Sequence, residues 1–323
     1  MRIALFGFGN VGRALARMIL ATRAPFTVTA LATKRHGAVV DPGGIDLATI
    51  LAGTDLPLRE APSTAFLPAD ILVEMTPLDR VTGEPALTYI REALAAGMHV
   101  VTANKGPIAR AYRELDALAA KHGRMLRFEA TLADCLPVFT VRRSALPLAS
   151  ISAIRGIVSS TNNHILTAAA AGVPFADALA EAQRLGIAEA DPRNDLEGHD
   201  AAAKATILAN VLMDADIVPE DVTREPIDER VAQTARAAAS NGDRVRPLIE
   251  IARRGANIVA SFGPRRLGPL DPLYAVDDFS MGLVFETDLA GRVAVQLHDP
   301  HIDQVAYAIL TDLIEISGTM PRR

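Results

Sequence analysis

Arg2-Ile-Ala-Leu-Phe6-Gly7-Phe-Gly9-Asn10-Val11-Gly12-Arg13-Ala-Leu-Ala-Arg-Met-Ile-Leu20 decides how the first part of this chain folds. Its apolar opening reads as a short buried strand, and its alanine- and leucine-rich end reads as a helix. Between them stands G-x-G-x-x-G, in the strand–turn–helix setting that a dinucleotide fingerprint requires. Gly7 permits the tight turn, Gly9 lets the backbone approach a pyrophosphate, and Gly12 lets helix and strand pack closely. The free N–H groups and positive potential of the helix N-terminus suit phosphate. A nucleotide site is therefore expected at Gly7, Gly9, Asn10, Val11 and Gly12.

The same alternation continues outward. Phe26–Leu31, Asp70–Met75, Met98–Thr102 and Met125–Ala130 read as strands, with helices over Glu84–Ala96 and onward to Lys121. This predicts a Rossmann-type doubly wound α/β domain with a parallel sheet. Ligands of such sheets gather beyond the carboxyl ends of the strands, which is where Thr76 and Lys105 fall. After the second strand, where NAD folds keep an acid for the ribose, the chain has Lys34-Arg35-His36. Two adjacent cations there suit a 2′-phosphate, so NADP is favoured and NAD is the alternative. The competing reading of Lys34 and Arg35 is a basic loop in solvent.

Composition bounds the function. The length of 323 residues favours two domains. A net charge of −5 gives no reason to expect nucleic acid or an anionic membrane as partner. The single Cys135 excludes an intramolecular disulfide, and the chain enters a strand at once, so a cytoplasmic setting is expected. Cys135 reads as a small packed residue rather than a reactive thiol.

Beyond Thr131 the pattern changes to α+β, predicting a substrate and dimerisation domain. Ile151–Val158 reads as a strand ending in Ser159-Ser160-Thr161-Asn162-Asn163, followed by helices at His164–Ala171 and Pro174–Leu185. Late antiparallel strands are expected at Leu248–Ile251, Ile258–Phe262, Met281–Thr287 and Arg292–Leu297, with a helix at Ile302–Ile316. The face these strands offer looks too apolar for water, which favours a homodimer. Before the late strands comes Glu189-Ala-Asp-Pro-Arg-Asn-Asp195-Leu-Glu197-Gly198-His-Asp200-Ala-Ala-Ala-Lys204, five carboxylates and one lysine in sixteen residues. Pro192 and Gly198 predict a loop, then a helix that brings Asp200 and Lys204 together at i,i+4. Acidic side chains suit the ammonium of a small zwitterion, and a lysine suits an oxygen. A solvated loop with a surface ion pair is the alternative. Among 33 basic residues, lysine occurs only at Lys34, Lys105, Lys121 and Lys204. A lysine kept in an arginine-using chain points to a task that needs a removable proton.

Together these stretches resemble homoserine dehydrogenase over nearly the whole chain. The resemblance rests on Gly7-Phe-Gly-Asn-Val-Gly12, His99-Val-Val-Thr-Ala-Asn-Lys105, Phe128-Glu-Ala-Thr131, Ala182-Gln-Arg-Leu-Gly-Ile-Ala-Glu-Ala-Asp-Pro192, and Asp195-x-x-Gly198-x-Asp200-x-x-x-Lys204. It is to a short form, with no appended regulatory domain expected. The resemblance implies hydride transfer between NAD(P)H and aspartate 4-semialdehyde, giving homoserine. It implies that Lys204 and Lys105 flank the reacting oxygen, that Asp200 orients Lys204, and that Glu189, Asp195 and Thr161 contact the amino-acid substrate. It also implies a monovalent cation site at Glu129, Leu132, Asp134 and Leu136. The expected domains are 1–130 for the nucleotide and 131–300 for catalysis and dimerisation, with a C-terminal helix, about 301–323, packing back on the first.

Three stretches depart from the family pattern. Leu132-Ala-Asp-Cys-Leu-Pro137 stands where a glycine-rich turn is usual, Ser159-Ser160-Thr161 replaces a glycine-containing triplet, and Leu297-His-Asp-Pro-His-Ile-Asp303 replaces a late glycine loop. The competing functions are an NADP-dependent reductase of a related amino- or hydroxy-aldehyde, and a non-catalytic NADP-binding sensor. A sensor has no need for Lys105, Asp200 and Lys204.

Overall fold

The computed structural model describes residues 1–53, 57 and 62–318, in two compact units. The first is Met1–Cys135 joined by the chain from His301 onward, and the second is Leu136–Pro300. The first unit contains β1 Arg2–Phe6, α1 Asn10–Thr22, β2 Thr27–Thr33, β3 Gly37–Val40, α2 Leu47–Leu51, β4 Ile71–Glu74, α3 Ala86–Ala95, β5 His99–Thr102, α4 Lys105–Lys121 and β6 Leu126–Arg127. The second contains α5 Val138–Ser144, β7 Ile151–Ile157, α6 Ser160–Ala170, α7 Phe175–Arg184, α8 Arg193–Leu196, α9 His199–Leu212, β8 Thr223–Arg224, α10 Glu229–Ala239, β9 Arg244–Arg254, β10 Asn257–Leu267, β11 Met281–Thr287 and β12 Arg292–Leu297. The chain rejoins the first unit as α11 Ile302–Ser317. Of the last helix expected from sequence, residues 319–323 lie outside the described ones.

The sheet of the first unit has the order β3-β2-β1-β4-β5-β6. Its strands run parallel except β3, which pairs antiparallel with β2. Ile3, Leu5, Ile71 and Val73 are fully enclosed, as strands covered on both faces require. Leu15 and Ile19 of α1 share this core with Ile309, Leu313 and Ile316 of α11. Each such buried side chain contributes about 1.5–3 kcal/mol of apolar transfer. The last helix is thus part of the first unit's core.

One local feature was not expected and one expectation needs correction. Lys34-Arg35-His36 is the exposed turn of a β2–β3 hairpin. Thr33 closes it, accepting from His36 N–H at 2.9 Å and donating to Gly37 O at 3.2 Å. The strand expected at Met125–Ala130 is only Leu126–Arg127 and gives way to a 3-10 turn, Glu129–Thr131. The cause is distant in sequence: Asp312 of α11 accepts the Glu129 N–H at 2.9 Å and draws the chain out of the sheet.

The second unit's sheet has the order β12-β11-β7-β9-β10-β8. It is antiparallel except for the short β8–β10 pair. Helices α6, α9 and α10 pack on β9 and β10. Phe262 of β10 lies on that covered face, against Gly198. Its neighbours in the alternation face the other way. There Arg155 meets Asp271 at 2.9 Å, and Arg265 bridges Glu250 at 2.7 Å and Glu225 at 2.8 Å. Val259, 49% exposed, shares this second face. The face expected to be apolar therefore carries an ion-pair ladder, and its apolar positions Ile157, Leu248 and Val284 are buried against Leu273 and Val276.

Two further stretches differ from the expected loops. The acidic stretch contains one helical turn, α8, which Pro192 tolerates because it stands ahead of the turn, where no intrahelical N–H is required. Ser160–Asn163 forms the first turn of α6 rather than a loop, since the Ser159 hydroxyl accepts the Asn162 N–H and caps the helix.

Candidate active site

In the first unit, Phe6, Glu74 and Thr102 lie in register across β1, β4 and β5. Gly7, Met75-Thr76 and Asn104-Lys105 therefore leave the sheet at one edge. The β2 strand pairs Ala32 with Phe6, so Lys34 and Arg35 emerge at that edge too. Gly7 has φ +94°, and a Cβ there would stand 2.3 Å from the Met75 carbonyl oxygen. A Cβ on Gly12 would come within 2.8 Å of Gly7 O, so helix and turn are in close contact. A Cβ on Gly9 would meet nothing within 4 Å. Gly9 is thus a bare patch of backbone open to an approaching group. Asn10, Val11 and Gly12 form the first turn of α1, and no side chain caps it. Bare backbone, uncapped N–H groups and the helix dipole together fit a pyrophosphate.

Lys34 and Arg35 are exposed. Thr76 donates both its N–H and its hydroxyl to one oxygen of Glu74, at 2.7 and 2.5 Å. Lys105 is the first residue of α4, whose N-cap, Asn104, accepts from Gly106 N–H at 3.1 Å. Glu129 and Leu132 are buried, and Asp134 takes φ +50°. Asp tolerates that left-handed conformation, so the turn forms without the expected glycine. Leu136 is fully buried and begins the second unit. Among the described residues, no group of three or more His, Cys, Asp and Glu is arranged to hold a metal ion. At this turn the oxygens on offer are the Glu129 and Asp134 carboxylates and backbone carbonyls, a hard-ligand set that suits an alkali cation better than a transition metal. Burial, aided by the charge of Asp134, pushes the Cys135 thiol up, so it stays protonated and packs as a small side chain.

In the second unit, Asp200 and Lys204 of α9 pair at 2.9 Å across one helical turn. Lys204 is only 9% exposed, and its ammonium also donates to the carbonyl oxygen of Val158, just beyond β7, at 2.5 Å. Lysine's long stem leaves a largely buried helix and carries its head to these two oxygens. The Thr161 hydroxyl donates to Asp195 at 2.9 Å, and Asn162 Nδ2 donates to the Asp195 carbonyl at 2.7 Å. The N-terminus of α6, the turn α8 and the start of α9 thus carry two polar pairs within one unit, Thr161–Asp195 and Asp200–Lys204. Glu189 stands exposed, and its contribution to the fold is a backbone carbonyl that accepts from Gln183 at 3.1 Å.

Some members were not singled out from sequence. Asn162 is wholly buried and holds the Asp195 backbone, yet only the polar run Ser159–Asn163 hinted at it. Glu74 is wholly buried at the cofactor edge, and its only signal was an acid closing the apolar strand Ile71-Leu-Val-Glu74. Burial pushes its carboxyl up from the usual range, although Thr76, Thr102 and Asn104 all stabilise the charged form.

Comparison with known proteins decides the family. Residues 7–129 match the family model described as homoserine dehydrogenase, NAD binding domain, and residues 137–314 match the one described as homoserine dehydrogenase. The chain belongs to the homoserine dehydrogenase family. Its relatives include the NAD(+)-dependent homoserine dehydrogenase of Pseudomonas canavaninivorans, 36% identical over all of this chain and 97% of that one. Among solved structures, the homoserine dehydrogenase of Thermoplasma acidophilum aligns with a TM-score of 0.87 at 29% identity, covering 99% of both chains. A hyperthermophilic archaeal homoserine dehydrogenase in complex with NADPH aligns with a TM-score of 0.81 at 28% identity, over 99% of this chain and 98% of that one. The family is one of NAD(P)-dependent oxidoreductases, and the α/β architecture with a nucleotide-binding unit is shared throughout. No described helix is long and apolar enough to cross a membrane.

Proposed function

We propose that this homoserine dehydrogenase uses NADP, transferring a hydride reversibly between homoserine and aspartate 4-semialdehyde, with Lys204 as the group on the reacting oxygen. The cofactor supplies or takes the hydride. In the reducing direction the carbonyl carbon gains the hydride and the oxygen becomes an alkoxide that needs a proton or a fixed cation. The observation that carries this reading is the buried Lys204 ammonium, held by Asp200 and Val158 O. A cation so positioned meets developing negative charge with little reorganisation. Lys105 is the second cation of the reading. Glu189 and Asp195 hold the substrate ammonium, with Thr161 fixing the Asp195 carboxylate. Glu129, Asp134 and the carbonyls of Leu132 and Leu136 are the oxygen set for a monovalent cation in the same reading.

The preference for NADP is supported by the exposed Lys34 and Arg35 at the cofactor edge and by the absence of an acid there. A charged hydrogen bond is worth about 1.5–3 kcal/mol, so replacing both by alanine should raise the KM for NADP roughly 10- to 100-fold. The KM for NAD should hardly change. Initial rates of homoserine oxidation with each cofactor check this. Equal losses for both, or a wild-type preference for NAD, would overturn the NADP reading.

The reading also includes a homodimer of closed two-fold symmetry, formed through the second unit. Its support is the part of that unit's second sheet face that Leu273 and Val276 leave uncovered, where Val259 is 49% exposed beside paired charges. Light scattering at micromolar protein should give twice the chain mass, and a monomer mass would refute it.

A further inference from the structure

Among the described residues, Glu74 is the wholly buried carboxylate at the cofactor edge that the mechanism above leaves without work. Its two oxygens serve different strands. One accepts the N–H and hydroxyl of Thr76, just beyond β4, at 2.7 and 2.5 Å. The other accepts the hydroxyl of Thr102, the last residue of β5, at 2.7 Å. The same Thr102 oxygen accepts the N–H of Asn104 at 2.9 Å, and Asn104 Nδ2 donates to Thr76 O at 3.2 Å. Glu74, Thr102, Asn104 and Thr76 thus close a ring of hydrogen bonds. Asn104 is also the N-cap of α4, through Gly106 N–H. Lys105 lies between that cap and the residue it binds, so the ring fixes the backbone on both sides of Lys105.

The side chain at this position is more than a structural plug. A buried carboxylate with only neutral donors around it is expensive to desolvate. An apolar residue would fill the space, but it would leave the Thr76 N–H and two hydroxyls unsatisfied. Two acceptor oxygens on one rigid plane can tie both strand ends at once.

We propose that Glu74 is a positioning residue for hydride transfer: through its ring with Thr76, Thr102 and Asn104 it sets where Thr76 and the Lys105 ammonium stand at the cofactor edge. This rests on the reading of Lys105 given above. Glu74→Gln keeps the size but turns one acceptor into a donor, so it strains the ring without emptying the site.

A double-mutant cycle of Glu74→Gln with Lys105→Ala tests it. Sub-ångström displacement of an active group is costly, so Glu74→Gln alone should lower kcat about 10- to 100-fold while KM for homoserine stays within about threefold. In the Lys105→Ala background the same change should alter kcat by less than about twofold, because the group it positions is gone. The dissociation constant of NADPH, read from nicotinamide fluorescence, should move by less than about threefold, since the glycine turn holds the pyrophosphate. Thr102→Val breaks the ring from the other strand and should reproduce the kcat loss, which keeps the test open if Glu74→Gln fails to fold. Unchanged kcat in both ring variants, equal losses with and without Lys105, or a large rise in the NADPH dissociation constant overturns the proposal. Full activity in Lys105→Ala alone overturns the Lys105 reading itself and is seen before the cycle is closed.

Discussion

Replacing Lys204 by arginine should lower kcat by roughly two to four orders of magnitude, the range of a lost general acid. The charge and much of the length remain, so a loss cannot be put down to a missing cation. What disappears is a compact ammonium that points one hydrogen at Asp200 and one at Val158 O. A planar guanidinium cannot be presented in that way from the same stem, nor can it release a proton near neutrality. Fold and NADPH affinity should be nearly unchanged, because the glycine turn belongs to the other unit. Asp200→Asn should give a smaller loss of the same kind, since the lysine stays but loses its charged partner. Steady-state rates with homoserine, a thermal melt and NADPH fluorescence check all three points. If Lys204 donates the proton, its variant should also lose the limb of the pH–rate profile that reports its ionisation, and a Lys105 variant should keep it. Near-wild-type kcat in Lys204→Arg would return the stretch from Glu189 to Lys204 to a structural role.

Gly198→Ala should destabilise the second unit strongly for a single added methyl. Gly198 has φ +75° and stands immediately before α9, the helix that carries Asp200 and Lys204. A Cβ there would lie 2.3 Å from Cδ1 and 2.7 Å from Cε1 of Phe262. The left-handed backbone costs alanine about 1–2 kcal/mol. Forcing a methyl into a packed contact costs about 1–3 kcal/mol more. Phe262 is wholly buried between the sheet and α9, so it has nowhere to retreat without moving the helix. At about 2–4 °C per kcal/mol for a domain of this size, the melting temperature should fall roughly 5–20 °C. The kcat should fall with it, because the first turn of α9 sets the Asp200–Lys204 pair. An unchanged melt would show that the Phe262 contact yields freely.

Much of this was legible in the chain because it depends on short-range geometry. The apolar runs at Arg2–Phe6 and Ile71–Glu74 mark strands, and G-x-G-x-x-G between strand and helix marks the turn whatever follows. Asp200 and Lys204 meet because any α-helix brings residues four apart together. The strands Met281–Thr287 and Arg292–Leu297 fall where the pattern put them.

What escaped the sequence depends on partners far away along it. Asp312 takes the Glu129 N–H across 183 residues and ends β6 early. Val158 O, 46 residues before Lys204, gives that ammonium its second anchor. Thr76 and Thr102, on neighbouring strands, turn Glu74 from an odd acid at a strand end into a hub. The second face of the second unit's sheet looked apolar because alternation shows which residues share a side but not which charges will pair there or which segment will cover it. Periodicity and turn chemistry are properties of a few consecutive residues, so the chain itself determined its elements, its glycine turn and its helical acid–lysine pair. The partners of each buried polar group depend on which strands become neighbours, and only the tertiary structure decided that.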